Sequence, residues 1–235
     1  MKKKILFMSA CALLLFTGCF GSKTTTKNEA KEVKVKINET EGLSTDYSIT
    51  SNNEIVLSIK NNGSELIDYI NVDIAMYDEK GNLMKTEKQY ARNVMSGASN
   101  VVKSSLINAS SEANDVKVPS KVEVVLNKTI YSTKFETVYS DKITGAVEKT
   151  ETDGQLNLTI TNNSGVTIDD LSAAVVFYKD GKMIDIYNIS LQSVAESKTE
   201  TVYVPTAKSE GSISYISYDK AEVVINNASS YNTGA

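Results

Sequence analysis

The 235-residue chain contains no His. That removes the usual general base near neutral pH, the commonest metal ligand, and every Ser-His or Cys-His arrangement. Ser, Lys, Asp, Glu and Tyr remain as chemical groups. Ser217-Tyr-Asp-Lys220 fits a Ser-x-x-Lys spacing, a chemistry in which the Ser opens a helix and the Lys stands one turn on. Here the strand-like run Lys220-Ala-Glu-Val-Val-Ile-Asn226 follows directly, so a turn before a strand is expected. Asp169, Asp170 and Asp180 offer carboxylates, but Ca²⁺ takes roughly six to eight oxygens from one shaped loop. There is no Gly-rich phosphate loop, HExxH or EF-hand spacing, and no Trp to stack on a sugar. The sequence predicts no catalytic residue, no cofactor and no metal ligand.

A duplication organises the chain. Glu54-Ile-Val-Leu-Ser-Ile-Lys-Asn-Asn-Gly63 is answered by Gln155-Leu-Asn-Leu-Thr-Ile-Thr-Asn-Asn-Ser164. Adding 101 to Leu57, Ile59, Asn61, Asn62, Ile67, Asp68, Ile70, Ile74 and Tyr77 lands on Leu158, Ile160, Asn162, Asn163, Ile168, Asp169, Leu171, Val175 and Tyr178. A period this long exceeds the roughly 20–50 residues of solenoid units; it is the size of a small domain. The expected organisation is two tandem domains, 33–140 and 141–235.

Both copies alternate with period two, as strands with one buried face do. Ile70, Val72, Ile74 and Met76 match Leu171, Ala173, Val175 and Phe177. The repeated Asn-Asn marks a turn whose side chains bond their own backbone. Asp180-Gly181 suits a two-residue type I′ hairpin, while Asp78-Glu-Lys-Gly81 suggests a longer loop with a left-handed Gly. Strands are expected at Val33–Ile37, Lys85–Tyr90 with Lys182–Leu191, and Val101–Val102 with Thr201–Val204. Lys121–Asn127 and Lys220–Asn226 make the final pair, and 141–154 should hold the first strand of the second copy. The segment Tyr131–Tyr139 is expected to add a strand to the first copy, and Ser104–Pro119 stays unassigned. Without sustained helical periodicity, the fold class is all-β: two antiparallel sandwiches. Tyr77 and Tyr178 should lie on the outer face. Tyr215 and Tyr218 fall where the copies part company. These four are the candidate partner contacts.

The first residues read as a targeting segment. Met1-Lys-Lys-Lys4 precedes a twelve-residue apolar run, Ile5–Phe16, too short for the roughly 20 residues of a spanning helix and typical of a signal peptide. It ends Leu15-Phe-Thr-Gly-Cys19, which resembles the bacterial lipoprotein lipobox. The family prefers Leu three residues before the Cys; here Phe16 holds that place, with Leu15 one earlier. The resemblance implies cleavage after residue 18, a diacylglycerol thioether on Cys19 and a membrane anchor on the extracytoplasmic face. Cys11 would depart with the signal peptide, so no free thiol or disulfide remains. Residues 19–32, nearly devoid of apolar side chains, read as a flexible tether. The net charge of −4 becomes more negative when Lys2, Lys3 and Lys4 leave, which argues against nucleic acid as a partner.

The strand Ile74-Ala-Met-Tyr-Asp78, its counterpart Val175-Val-Phe-Tyr-Lys179, and the Gly turns after them resemble the FxLYD domains of bacterial surface lipoproteins. The Tyr is kept in both copies and the Asp in one. The resemblance implies immunoglobulin-like sandwiches and no reaction. The expected function is therefore a non-catalytic envelope lipoprotein that binds or scaffolds an envelope protein or polymer. A small-ligand (lipid or peptide) carrier is the alternative, and a His-independent hydrolase the third reading.

Overall fold

The computed structural model describes residues 33–38, 40–109, 116–134, 136–151, 155–197, 199–205 and 216–231. Among these, strands dominate and no helix is long and apolar enough to cross a membrane. The first copy contains β1 (Lys34–Asn38), β2 (Leu43–Ile49), β3 (Glu54–Asn61), β4 (Ile67–Tyr77), β5 (Leu83–Val94), β6 (Ser99–Ser105), the short β7 (Asn108–Ala109) and β8 (Val116–Lys117), and β9 (Lys121–Thr129). The second contains β11 (Ile143–Lys149), β12 (Gln155–Asn162), β13 (Ile168–Lys179), β14 (Lys182–Val194), β15 (Thr199–Pro205) and β16 (Lys220–Tyr231). Between them lie β10 (Glu136–Val138) and a single 3₁₀ turn at Ser140–Lys142.

Each copy is a sandwich. A three-stranded sheet, β2-β3-β6 or β11-β12-β15, packs on a four-stranded one, β1-β9-β4-β5 or β10-β16-β13-β14. The alternation read from sequence sets the inward faces. Ile55, Leu57, Ile59, Ile70, Val72, Ile74 and Met76 are buried in one core, and Leu156, Leu158, Ile160, Leu171, Ala173, Val175 and Phe177 in the other. The hairpins follow their turn chemistry. Asp180 and Gly181 both have positive φ, 50° and 74°, and Lys179 pairs with Lys182. In the longer loop, Asp78 Oδ1 accepts the amides of Lys80 and Asn82, and Gly81 sits at φ 83°.

The repeated Asn61 and Asn162 are fully buried. Asn61 Nδ2 donates to the carbonyls of Glu65 (2.8 Å) and Val94 (2.9 Å), while its Oδ1 accepts the Gly63 amide at 2.9 Å. Asn162 repeats this with Val166 (2.8 Å), Val194 (2.8 Å) and Ser164 (2.9 Å). One carboxamide thus ties the end of a three-stranded sheet to the end of a long strand in the opposite sheet. The role is structural, and it reaches further than the turn itself.

Three features differ from expectation. β2 carries little apolar alternation, Leu-Ser-Thr-Asp-Tyr-Ser-Ile, yet pairs along its full length with β3. β1 pairs with β9 in parallel, Val35 opposite Val122 and Ile37 opposite Val124, so the first sandwich is not purely antiparallel. The strand in Tyr131–Tyr139 does not extend the first copy: β10 pairs antiparallel with β16, Glu136 opposite Tyr231.

The two sandwiches pack on each other. Val56 and Val101, on the outer face of β3 and β6, meet Ala174, Val176, Met183 and Ile186, on the outer face of β13 and β14. This explains why Ala173–Phe177 is one continuous apolar run: both faces of β13 are covered. Val176→Asp places an unpaired charge in this contact and is expected to cost about 3 kcal/mol. Ala75→Asp, its counterpart in the first copy, is expected to stay within about 1 kcal/mol; urea unfolding compares them. Asn61→Ala, which strands two buried carbonyls, is expected to cost about 2–4 kcal/mol in the same assay.

Candidate functional site

The junction gathers the polar groups least expected in a protein interior. β5 carries Arg92 and Asn93 to its edge, and the segment after β9 delivers Glu136. Arg92 reaches from the first copy to two carboxylates of the second copy's four-stranded sheet: Nη2 meets Glu136 Oε1 at 2.9 Å and Nη1 meets Asp170 Oδ2 at 3.1 Å. Asn93, itself buried, donates to Glu136 at 3.0 Å and to Asn227 Oδ1 at 2.9 Å. Ser229 Oγ donates to the other Glu136 oxygen. Further along, Asn226 Oδ1 accepts the Val101 amide at 3.0 Å, and Asn100 Nδ2 donates to the Asn226 carbonyl at 2.7 Å. Lys103 lies 3.3 Å from Asp185 and 3.2 Å from Glu54.

Burial and hydrogen bonding, with the Arg92–Glu136 charge pair, set the protonation of this cluster. Burial pushes the Glu136 carboxyl up, but hydrogen bonds from Asn93 and Ser229 and the Arg92 charge outweigh it, so Glu136 is held below its ordinary value. For Arg92, burial acts downward and is outweighed by the Glu136 charge.

Beside this network lies a cavity of about 190 Å³ lined by Asp68, Tyr69, Tyr131, Thr133 and Tyr231 with Arg92 and Glu136. Tyr69 and Tyr131 meet edge to face at 5.9 Å, and the Arg92 guanidinium stands 5.7 Å from the Tyr69 ring. Tyr131 and Tyr231 are exposed. A second groove, about 360 Å³, runs between Gln89–Arg92, Asn100–Lys103 and Asn188–Ser190. Aromatic faces beside fixed planar polar groups suit non-covalent recognition.

The residues singled out in sequence fall elsewhere. Cys19 and Tyr215 lie outside the described residues. Tyr77 and Tyr178 occupy equivalent outer-face positions, each opposite a Lys-x-Glu pair. Lys121 Nζ stands 5.2 Å from the Tyr77 ring and pairs with Glu123 at 2.7 Å; Lys220 stands 5.9 Å from Tyr178 and pairs with Glu222. The Lys121 hydrogen bond holds Glu123 below its usual range. Tyr178 also borders the contact between the sandwiches. Tyr218 packs edge to face on Phe177 at 5.1 Å against the second core, and burial raises its phenol.

Ser217 and Lys220 do not form a dyad. Ser217 Oγ accepts from Lys179 at 2.8 Å, and both are exposed, without the burial that turns a Lys into a base. Asp169 accepts from Ser230 and Tyr231, Asp170 binds Arg92, and the Asp180 amide donates to Asp219 Oδ2. Among the described residues, no three Cys, Asp or Glu side chains converge on a cation site. Sequence reading missed Arg92, Asn93, Glu136, Tyr131 and Tyr231. The available signal was indirect: apolar residues on both faces of β13 imply a covering partner.

No protein-family model matches this chain, and no curated protein sequence matches it. Among the solved structures that match is the crystal structure of red sea bream transglutaminase, 11% identical over 71% of this chain, with a TM-score of 0.19. This chain spans 27% of that structure's length. So low a score carries no argument about activity.

Because the Glu136 value is lowered on folding, its contribution to stability is complete above the ordinary value of 4.5 and is lost as pH falls through the folded value. The wild-type urea midpoint should therefore drop between about pH 5 and pH 3 more steeply than that of Glu136→Gln. Parallel pH curves would remove Glu136 from the account.

Proposed function

We propose that this chain is a non-catalytic, lipid-anchored lipoprotein of the bacterial cell envelope. Cys19 holds it on the extracytoplasmic face, and two FxLYD-like sandwiches form a rigid module that binds or scaffolds an envelope protein or polymer. The observation that carries the anchor is Gly18-Cys19 at the end of a basic and then apolar leader. Two acyl chains attach stably where one does not.

The interaction reading draws support from the junction. Its apolar patch and cross-copy ion pairs join the sandwiches into one body, a design suited to presenting a surface at fixed geometry. It also draws on the chain's lack of His and on the exposed Tyr131 and Tyr231 beside fixed polar groups. The carrier alternative draws on the grooves between the sandwiches. Those grooves open at the junction, while Ile55, Leu57, Leu158, Ile160 and Phe177 fill the two cores, so the interaction reading is favoured.

Cells fed a clickable palmitate analogue should yield labelled wild-type protein in the membrane fraction. Cys19→Ala should lose both the label and the membrane association. Unlabelled wild-type protein recovered in the soluble fraction would overturn the anchor.

A further inference from the structure

One wall of the tyrosine-lined cavity at the junction is particular to the first copy: adding 101 to Tyr69 lands on Asp170. The Tyr69 ring joins Tyr131 from the segment after β9 and Tyr231 from the end of β16 around a space of about 190 Å³. Tyr131 and Tyr231 are exposed there. Among the described residues, none of the three phenol oxygens takes part in a hydrogen bond. The rings therefore contribute their faces and edges to the site while their hydroxyls stay unengaged.

Asp68 lines the same cavity and is only 7% exposed. Its Oδ2 accepts the Tyr131 amide at 2.7 Å and pairs with Lys134. Its Oδ1 accepts no hydrogen bond among the described residues. A carboxylate oxygen so deeply placed gains from any donor that reaches it. Charge points the same way. Three carboxylates, of Asp68, Glu136 and Asp170, meet two cations, Arg92 and Lys134, so one negative charge is in surplus. The Arg92 guanidinium already stands 5.7 Å from the Tyr69 ring, a cation resting on an aromatic face.

We propose that this cavity is an anchor pocket for a Lys side chain of a partner protein. The ammonium donates to Asp68 Oδ1, and the methylene stem lies along the Tyr131 and Tyr231 rings. Size favours a single side chain, since small-molecule sites run about 300–1,000 Å³ and this one is smaller. A quaternary ammonium would suit the rings but brings no N–H to the carboxylate. One side chain desolvated between aromatic walls is where an interface concentrates its binding energy. The inference deepens the reading of this chain as an interaction module and rests on it. Loss of the Cys19 anchor would leave it untouched.

The probe is the capped peptide acetyl-Gly-Lys-Gly-amide, titrated into the full chain in detergent micelles while NMR follows the ring resonances of Tyr69, Tyr131 and Tyr231. The expected result is a saturable shift at these rings, absent when norleucine replaces the Lys of the peptide. Asp68→Asn should weaken binding about tenfold. Tyr131→Leu, at an exposed position, should weaken it about threefold with the urea midpoint unchanged, and it carries the test if Asp68→Asn loses the fold. No saturable shift would overturn the pocket. Tighter binding of glucosamine than of the peptide would assign the site to an amine-bearing polymer, and tighter binding of tetramethylammonium would remove Asp68 Oδ1 from it; either result overturns the Lys anchor. None of these outcomes touches the palmitate label, so failure here is distinct from failure of the anchored module.

Discussion

A buried carboxamide holds each sandwich together. Asn61 and Asn162 sit where a strand of the three-stranded sheet must turn and cross to the opposite sheet. The crossing leaves carbonyls inside that no ladder can satisfy. Asn supplies two donors for those carbonyls and an acceptor for the amide two residues on. Asp would bring a charge and no donors, and a longer Gln would overshoot. The backbone amides of Gly97 and Ser197 then close on the Asn carbonyls themselves. Removing either side chain would leave the sheet-to-sheet crossing with unpaired groups in an apolar setting, where each is costly.

Around this shared frame, the copies have diverged into complementary halves. Val56 corresponds to Asn157, and Val176 to Ala75. One copy is apolar on the outside of its three-stranded sheet, the other on the outside of its four-stranded sheet. Each opposite outer face keeps the polar version: Asp73 and Lys88 on one, Asn157 and Thr159 on the other. Identical copies would stack without limit, because a heterologous contact that does not close propagates. The asymmetry of the pair turns the two apolar outer faces toward each other within the chain.

Much of this was legible in sequence because period-two alternation and turn chemistry are local. The β4 and β13 faces, the Asp180-Gly181 hairpin and the Asn turn all follow from residues adjacent in the chain. β2 escaped because its half-exposed strand carries Ser, Thr and Asp where alternation would show. The parallel seat of β1 and the transfer of β10 to the second sheet are choices between distant edges, which no local pattern records. Arg92 and Glu136 were invisible for the same reason: their meaning lies in each other and in Asp170, 78 positions from Arg92. Of the Tyr residues, Tyr77 and Tyr178 stood out by recurring. Tyr131 and Tyr231 recur as well, each giving its backbone amide to Asp68 or Asp169, but at an offset of 100 where the strands before them match at 99.

The parallel seat of β1 has a mechanical side. A pull carried through the residues before Lys34 loads β1 along its own axis, against a β9 whose chain continues in the opposite sense toward the second sandwich. All rungs from Lys34 to Asn38 then bear the load together in shear; a hairpin peeled from one end would release them one at a time. Resistance to such loading is a matter of rate and not of equilibrium stability. Were the chain held at its N-terminal end, as proposed, and gripped at the other, β1 would act as a latch against tension.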